Sequence, residues 1–128
     1  MKKLKKDGEC EEYHPNGLLK SKGHCKEGKK VGMWIQYHEN GQILSKGNYN
    51  NGKLDGLWEL FYESGQVSHR GSYNKGKRIF LWEEFYENGE LMYRRNFSNG
   101  KEIGLWEYFP QDGSLEKTEN WKDGELVE

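Results

Sequence analysis

Residues 56–65 read Gly-Leu-Trp-Glu-Leu-Phe-Tyr-Glu-Ser-Gly, and variants of this stretch recur along the chain at a constant interval. The tryptophans at positions 34, 58, 82 and 106 are each 24 residues apart. Two sets of glycines keep the same step: Gly17, Gly41, Gly65, Gly89 and Gly113, and Gly28, Gly52, Gly76, Gly100 and Gly124. A fixed period of this length indicates a repeat architecture. We interpret the chain as one array over residues 5–126, with copies beginning near 5, 29, 53, 77 and 101 and short tails at 1–4 and 127–128.

The composition excludes several classes of protein. The chain has 128 residues, of which 33% are hydrophobic and 14% aromatic, and its formal net charge is −1 with the two signs interleaved. Such a balance argues against a nucleic-acid-binding protein that works through a basic field. No long apolar run follows the basic start of the chain, so neither a signal peptide nor a transmembrane segment is expected. We therefore expect a cytoplasmic protein.

Each copy predicts two β-strands. In the second copy a strand around Trp34 leads into the turn Asn40-Gly41, and a later strand leads into Asn51-Gly52. Asn-Gly between β-prone residues is a strong hairpin signal, because both central residues of the favoured turn need positive φ. No segment repeats its apolar residues at helical spacing. The sequence therefore predicts an all-β fold, an elongated antiparallel β-hairpin meander with at least eight strands in a single twisted sheet.

The turn centre also predicts the strand register. The predicted partners are Cys10 with Gly23, Trp34 with Gly47, Trp58 with Gly71, Glu59 with Arg70, and Glu83 with Arg94. The tryptophans and the charge pairs then lie on opposite faces of the sheet, since successive side chains alternate. Cross-strand pairs of opposite charge contribute roughly 0.2–1 kcal/mol each. Phe80 stands where the other copies have glycine, and we expect it to remove a bulge or fill a gap.

The repeated pattern Gly-x-Trp-x-x-Tyr/Phe-Tyr-x-x-Asn-Gly, followed by Gly-x-Tyr-x-Asn-Gly-Lys, resembles MORN repeats (membrane occupation and recognition nexus) of the variant-2 type common in bacteria. The resemblance covers nearly the whole chain. It implies a non-catalytic scaffold that binds a protein, and bacterial members of this type include antitoxin or immunity proteins that neutralise a toxin. The alternatives are a membrane-surface or assembly scaffold that binds acidic lipids, and a choline-type ligand-binding repeat module.

Catalytic and metal-site interpretations have weaker support. The loop from Gly47 to Lys53 partly fits a phosphate-binding loop, but no helix follows it. Cys10, His14 and Cys25 could share one face of the first hairpin, as metal ligands or with the cysteines in a disulfide. The two cysteines replace aromatic residues of other copies, however, which favours buried apolar thiols. The four histidines do not lie near a serine or cysteine nucleophile with an orienting acid in the predicted register. We expect no enzyme activity, no cofactor and no metal.

The aromatic rows are the best candidates for a binding surface, because tyrosine and tryptophan commonly anchor interfaces. The predicted partner contacts are Trp58, Tyr62, Arg70, Tyr73, Trp82, Tyr86 and Arg94. If the aromatic face instead forms a core, the binding surface should lie on the charged face, around Phe61, Arg70, Phe85 and Arg94.

Overall fold

The computed structural model describes residues 7–127. Its strands are β1 (Asp7–Tyr13), β2 (Leu19–Lys26), β3 (Lys29–Tyr37), β4 (Ile43–Asn50), β5 (Lys53–Phe61), β6 (Val67–Asn74), β7 (Lys77–Phe85), β8 (Leu91–Ser98), β9 (Lys101–Tyr108), β10 (Lys117–Lys122) and β11 (Glu125–Val127). The predicted start of the array at residue 5, the tail at 1–4 and residue 128 lie outside the described residues.

All eleven strands belong to one sheet, in which each strand pairs only with its neighbours in the sequence. Every pairing is antiparallel, and the part of the chain that the structure describes contains no helix. The predicted β-hairpin meander is therefore confirmed. Because β11 pairs with β10, the meander continues beyond the second turn of the fifth copy.

The predicted register is also confirmed. The structure pairs Cys10 with Gly23, Trp34 with Gly47, Trp58 with Gly71, Glu59 with Arg70, and Glu83 with Arg94. This assigns two faces to the sheet. We call the side of Trp34, Trp58, Trp82 and Trp106 the tryptophan face, and the side of Glu59, Arg70, Glu83 and Arg94 the charged face.

The two turns of a copy differ in conformation. Asn51 and Gly52 both have positive φ, at 53° and 86°, as the favoured two-residue hairpin turn requires. In the first turn only Gly41 has positive φ, and the register shifts by one residue between Gln36 and Tyr37. Asn40 instead accepts a hydrogen bond from the Gln42 amide through its side chain, at 2.9 Å. The prediction of two left-handed residues is therefore right for the second turn and wrong for the first.

The tryptophan rings pack across the boundaries between copies. A β-carbon added at Gly23 would lie 2.3 Å from the ring of Trp34, and one added at Gly71 would lie 2.2 Å from the ring of Trp82. Trp34 also donates to the carbonyl of His24 at 2.9 Å. Trp34 and Trp82 therefore each cover a glycine of the preceding copy, although their partners within the hairpin are Gly47 and Arg95. Close approach of a ring to bare backbone needs a residue without a side chain.

The buried side chains form two clusters on the tryptophan face. The first contains Cys10, Cys25 and Trp34, and the second contains Trp82, Phe97 and Trp106. Cys10 and Cys25 form a disulfide, so the interpretation of these residues as two separate buried thiols is wrong. Gly23 opposes Cys10, and Cys25 lies two residues further along β2 on the same face, with 6.1 Å between the Cα atoms of the two cysteines.

Phe80 keeps the bulge that we expected it to remove. The glycines at this position in the other copies all have positive φ, and so does Phe80, at 60°. The register between β6 and β7 still shifts between Arg70 and Ser72, as it does at the equivalent points of other copies. The ring of Phe80 is 71% exposed, so it fills no gap in the array.

Candidate protein-binding surface

Three of the predicted contact residues form one aromatic cluster with edge-to-face contacts on the tryptophan face. The ring centroids of Trp58 and Tyr73 lie 6.0 Å apart, and those of Tyr73 and Trp82 lie 5.0 Å apart. Arg78 places its guanidinium 4.5 Å from the Trp82 ring centroid. Trp82 is only 2% exposed, so its ring offers almost no surface to a partner, whereas Trp58 and Tyr73 are partly buried. These rings pack mainly on one another, which is the core arrangement that the sequence left open.

Tyr62 and Tyr86 join each copy to the next. The hydroxyl of Tyr62 donates to the carbonyl of Phe85 at 2.6 Å, and that of Tyr86 donates to the carbonyl of Phe109 at 2.8 Å. At the same repeat position, His14 and His38 use Nε2 to bond the carbonyls of Tyr37 and Phe61, both at 2.9 Å. Histidine and tyrosine at this position therefore both satisfy a backbone carbonyl 23 residues further on, whereas Pro110 in the fifth copy has no side-chain donor.

A chain of polar side chains crosses the tryptophan face near its centre. The Ser68 hydroxyl lies 2.8 Å from Nδ1 of His69, and Nε2 of His69 lies 2.5 Å from a carboxylate oxygen of Glu84. Glu84 also accepts a bond from the Tyr93 hydroxyl, which in turn accepts one from Arg95 at 3.0 Å. Our expectation that no histidine lies beside a serine and an acid is therefore wrong. Ser68 is only 5% exposed, however, which leaves its hydroxyl little access to a substrate.

Burial and hydrogen bonds to carboxylates change how Tyr93, in this polar chain, and Tyr108 titrate. Burial, reinforced by the hydrogen bond to Glu84, raises the pKa of Tyr93 to about 12. Burial and the bond to Glu119 raise the pKa of Tyr108 to about 12 as well. Both effects favour the neutral phenol, because a buried phenolate loses solvation and would face a carboxylate. These groups are therefore suited to holding neighbouring strands together at neutral pH.

The charged face carries a ladder of alternating charges. Lys46, Glu59, Arg70, Glu83, Arg94 and Glu107 follow one another across six successive strands as register partners. Each arginine forms its ion pair with the glutamate of the following copy, Arg70 with Glu83 at 3.0 Å and Arg94 with Glu107 at 3.2 Å. The predicted partners Glu59 and Glu83 oppose Arg70 and Arg94 on the other side. The arginines thus join copies across their boundaries.

The aromatic row beside this ladder lies beneath the cations. The Nζ atom of Lys46 lies 5.8 Å from the ring centroid of Phe61. The Cζ atom of Arg70 lies 5.2 Å from the ring centroid of Phe85, and that of Arg94 lies 5.6 Å from the ring centroid of Phe109. Charged side chains therefore cover part of each ring.

A row of exposed aliphatic residues, which our sequence reasoning missed, lies on the other side of the ladder. Met33, Leu57, Leu81 and Leu105 occupy one repeat position and are 50%, 56%, 43% and 45% exposed. Leu57 pairs with Ser72 and Trp58 pairs with Gly71, so this row lies on the charged face. The 24-residue step was visible in the sequence. Each member directly precedes a tryptophan in the sequence, however. Its exposure depends on which face of the pleated strand its side chain occupies.

Charge is segregated between the two edges of the sheet that are formed by turns. The basic edge consists of the turns at 26–30, 50–55, 74–78 and 98–102, where eight cations outnumber three acids. The cations are Lys26, Lys29, Lys30, Lys53, Lys75, Lys77, Arg78 and Lys101, and the acids are Glu27, Asp55 and Glu102. The acidic edge consists of the turns at 38–43, 62–67, 86–91 and 110–116, where the charged residues are Glu39, Glu63, Glu87, Glu90, Asp112 and Glu116. The near-zero net charge of the chain therefore conceals a polarised arrangement.

The geometry defines an open β-hairpin repeat array with one packed face and one face that carries exposed apolar residues. Among residues 7–127, no cluster of three or more histidine, cysteine, aspartate or glutamate side chains could hold a metal ion. A search of the same residues finds no helix that is long and apolar enough to cross a membrane.

Comparison with protein families agrees with this architecture. The family model of the MORN repeat variant matches residues 6–26, 30–51, 54–75 and 81–99, which together make up more than half of the chain. The chain therefore belongs to the MORN repeat variant family, which indicates a repeat-based binding protein with a fold that is typically non-catalytic. No curated protein matches the chain.

Proposed function

We propose that this chain is a non-catalytic, cytoplasmic immunity protein that binds and neutralises a bacterial toxin domain through its charged face. The observation that carries the proposal is the row of exposed aliphatic side chains beside the charge ladder. The row recurs on every second strand, with Asn48, Ser72 and Asn96 on the strands between. Exposed apolar groups that are rimmed by polar residues often mark interaction sites. The choice of a toxin domain rests on the resemblance to bacterial antitoxin proteins that carry repeats of this type.

The two components of this face have different roles in binding. The leucines bury apolar area when a partner docks, and this area supplies most of the affinity. Arg70 and Arg94 are already paired with glutamates, so they contribute orientation and association rate more than free energy. Trp58 and Trp82 lie next to Leu57 and Leu81 on the opposite face of the same strands, and Tyr73 contacts both tryptophan rings from the strand between. Tyr62 and Tyr86 hold neighbouring copies in register.

The first test concerns the gene next to that of this chain. The proposal expects a large secreted protein with a toxin-like carboxyl-terminal domain. That domain, produced alone in a bacterial host, should stop growth, and coexpression of this chain should restore it. A neighbouring gene without such a domain, or growth that stays arrested during coexpression, would refute the immunity function.

The second test concerns the surface. In the first copy Glu9 occupies the position of the aliphatic row and is exposed, so the fold accepts glutamate there. The double variant Leu57→Glu, Leu81→Glu should melt like the parent and lose neutralisation. Leu115→Glu is a matched control, because Leu115 is 55% exposed but lies outside the row. Full neutralisation by the double variant would exclude this face as the toxin-binding surface.

A further inference from the structure

Phe80 adopts a backbone conformation that a phenylalanine rarely takes. The other four copies place glycine at this bulge, whereas Phe80 adopts the same left-handed region with φ at 60°. Residues that carry a β-carbon avoid this region, and a bulky side chain there is an outlier. The ring gains little from burial in return, since it is 71% exposed. A strained and exposed aromatic residue suggests a function outside its own array.

The surroundings of Phe80 have an excess of positive charge, although Asp55 and Glu102 lie in the neighbouring copies. It lies in β7, three residues after Lys77 at the basic edge. Arg78 lies between them in the strand, and Lys53 and Lys101 occupy the equivalent positions of the neighbouring copies. A surface that receives Phe80 should therefore combine an apolar cavity with acidic groups at its rim.

The acidic edge of the same molecule has a cavity of this kind. The cavity has a volume of about 440 Å³, and its apolar lining includes Leu44, Leu60, Phe61 and Tyr62. Glu63 and Glu87 also line it, and no lysine or arginine does. Pockets of this size and composition are typical of sites that hold a small apolar group.

We propose that the ring of Phe80 in one molecule docks into this cavity on the acidic edge of a second copy of the chain. The basic edge and the acidic edge repeat with the same 24-residue period, so several lysines and glutamates can align along the contact at once. Because only one of the five copies carries the phenylalanine, Phe80 sets the register between the two molecules. The contact joins two different surfaces, so a dimer keeps one free Phe80 and one free cavity, and association can continue beyond a dimer.

Sedimentation velocity over a range of protein concentrations tests this proposal with the purified chain alone. The parent should associate as concentration rises, and added salt should weaken the association because exposed charges are screened. Phe80→Gly should raise the dissociation constant roughly tenfold or more, as expected for loss of an interface anchor. Its thermal melt should not fall, because glycine is the residue of the other four copies. Leu18→Gly, which removes an exposed apolar side chain outside both charged edges, should associate like the parent.

A charge exchange provides an independent test. The variant Glu63→Lys, Glu87→Lys should be monomeric, and so should Lys53→Glu, Lys77→Glu, because each would bring like charges together. An equimolar mixture of the two variants should associate again. A parent that stays monomeric at all concentrations, or a Phe80→Gly variant that associates equally well, would refute the proposal. Binding of anionic lipid vesicles by a monomeric parent, lost in Lys53→Glu, Lys77→Glu, would assign the basic edge to a lipid surface instead.

Discussion

The two faces of this sheet are built from the same strands, yet they use their large side chains in opposite ways. On the tryptophan face, Trp34, Trp82 and Trp106 are 2%, 2% and 5% exposed, although residues 7–127 form one sheet with no second layer over it. On the charged face, the residue before each of these tryptophans is about half exposed. Trp34 and Trp82 are buried because each ring lies over a glycine of the preceding copy. Trp106 has Arg95 at that position and packs against Phe97 and Trp121 instead. A single sheet can therefore bury a core within itself where glycine allows a ring to approach.

The strongest test of this comparison uses two single substitutions at adjacent residues, one on each face. Trp82→Ala should lower the free energy of unfolding by about 3–5 kcal/mol, because it removes a buried ring that contacts Tyr73, Trp58 and Arg78. Leu81→Ala, on the other face, should change it by no more than about 0.5 kcal/mol. Urea denaturation measures both. Similar losses in the two variants would show that the faces do not differ in packing.

A smaller effect is expected when the backbone beneath the ring is filled. Gly71→Ala would place a β-carbon 2.2 Å from the Trp82 ring, so the ring has to move. Overpacking of this kind costs about 1–3 kcal/mol. Ser72→Ala changes the next residue, which lies on the charged face, and should cost less. The same denaturation measurement decides, and a Gly71→Ala variant as stable as the parent would contradict the close contact.

The hydrogen bonds between copies should contribute less again. Tyr62→Phe and Tyr86→Phe each remove a hydroxyl that donates to a carbonyl of the next copy, and each should cost about 0.5–1.5 kcal/mol. Tyr13→Phe is the control, since the Tyr13 side chain is 53% exposed. These variants also test our original view of Tyr62 and Tyr86 as binding residues. Unchanged stability with weaker neutralisation would favour a binding role for the two hydroxyls.

The polar chain on the tryptophan face predicts a dependence on alkaline pH. The pKa of Tyr93 is raised from 10 to about 12 in the folded chain, so the unfolded chain releases its proton first as the pH rises. Stability should therefore be unaffected by this group below pH 10 and should fall between about pH 10 and 12. Tyr108, with a pKa raised to about 12, should act in the same direction. Denaturation of the parent and of Tyr93→Phe, Tyr108→Phe across this range measures the effect, which should be weaker in the variant.

Much of the candidate site could be read from the repeat period. The pairing of Trp58 with Gly71 and of Glu59 with Arg70 follows from one turn centre, because the side chains of a strand alternate strictly. The direction of each side chain could not be read in this way. Arg70 forms its ion pair with Glu83 of the next copy, and the ring of Trp82 covers Gly71 of the preceding one. A strand inside a meander has two neighbours, and rotamers choose between them.

The amino-acid sequence by itself determined the five copies, the meander and the two faces, because glycine turns and alternating residues act over a few positions in the chain. The tertiary structure alone decided which aromatic rings are buried, since burial depends on how neighbouring copies contact each other across 23 or 24 residues. It also decided that Phe80 keeps the bulge of the glycines, at φ 60°. The reason is that β7 pairs with β6 on one side and with β8 on the other, and these two pairings fix the backbone conformation at Phe80. The segregation of charge between the two edges has the same origin. Turns far apart in the chain lie side by side only after the sheet has formed.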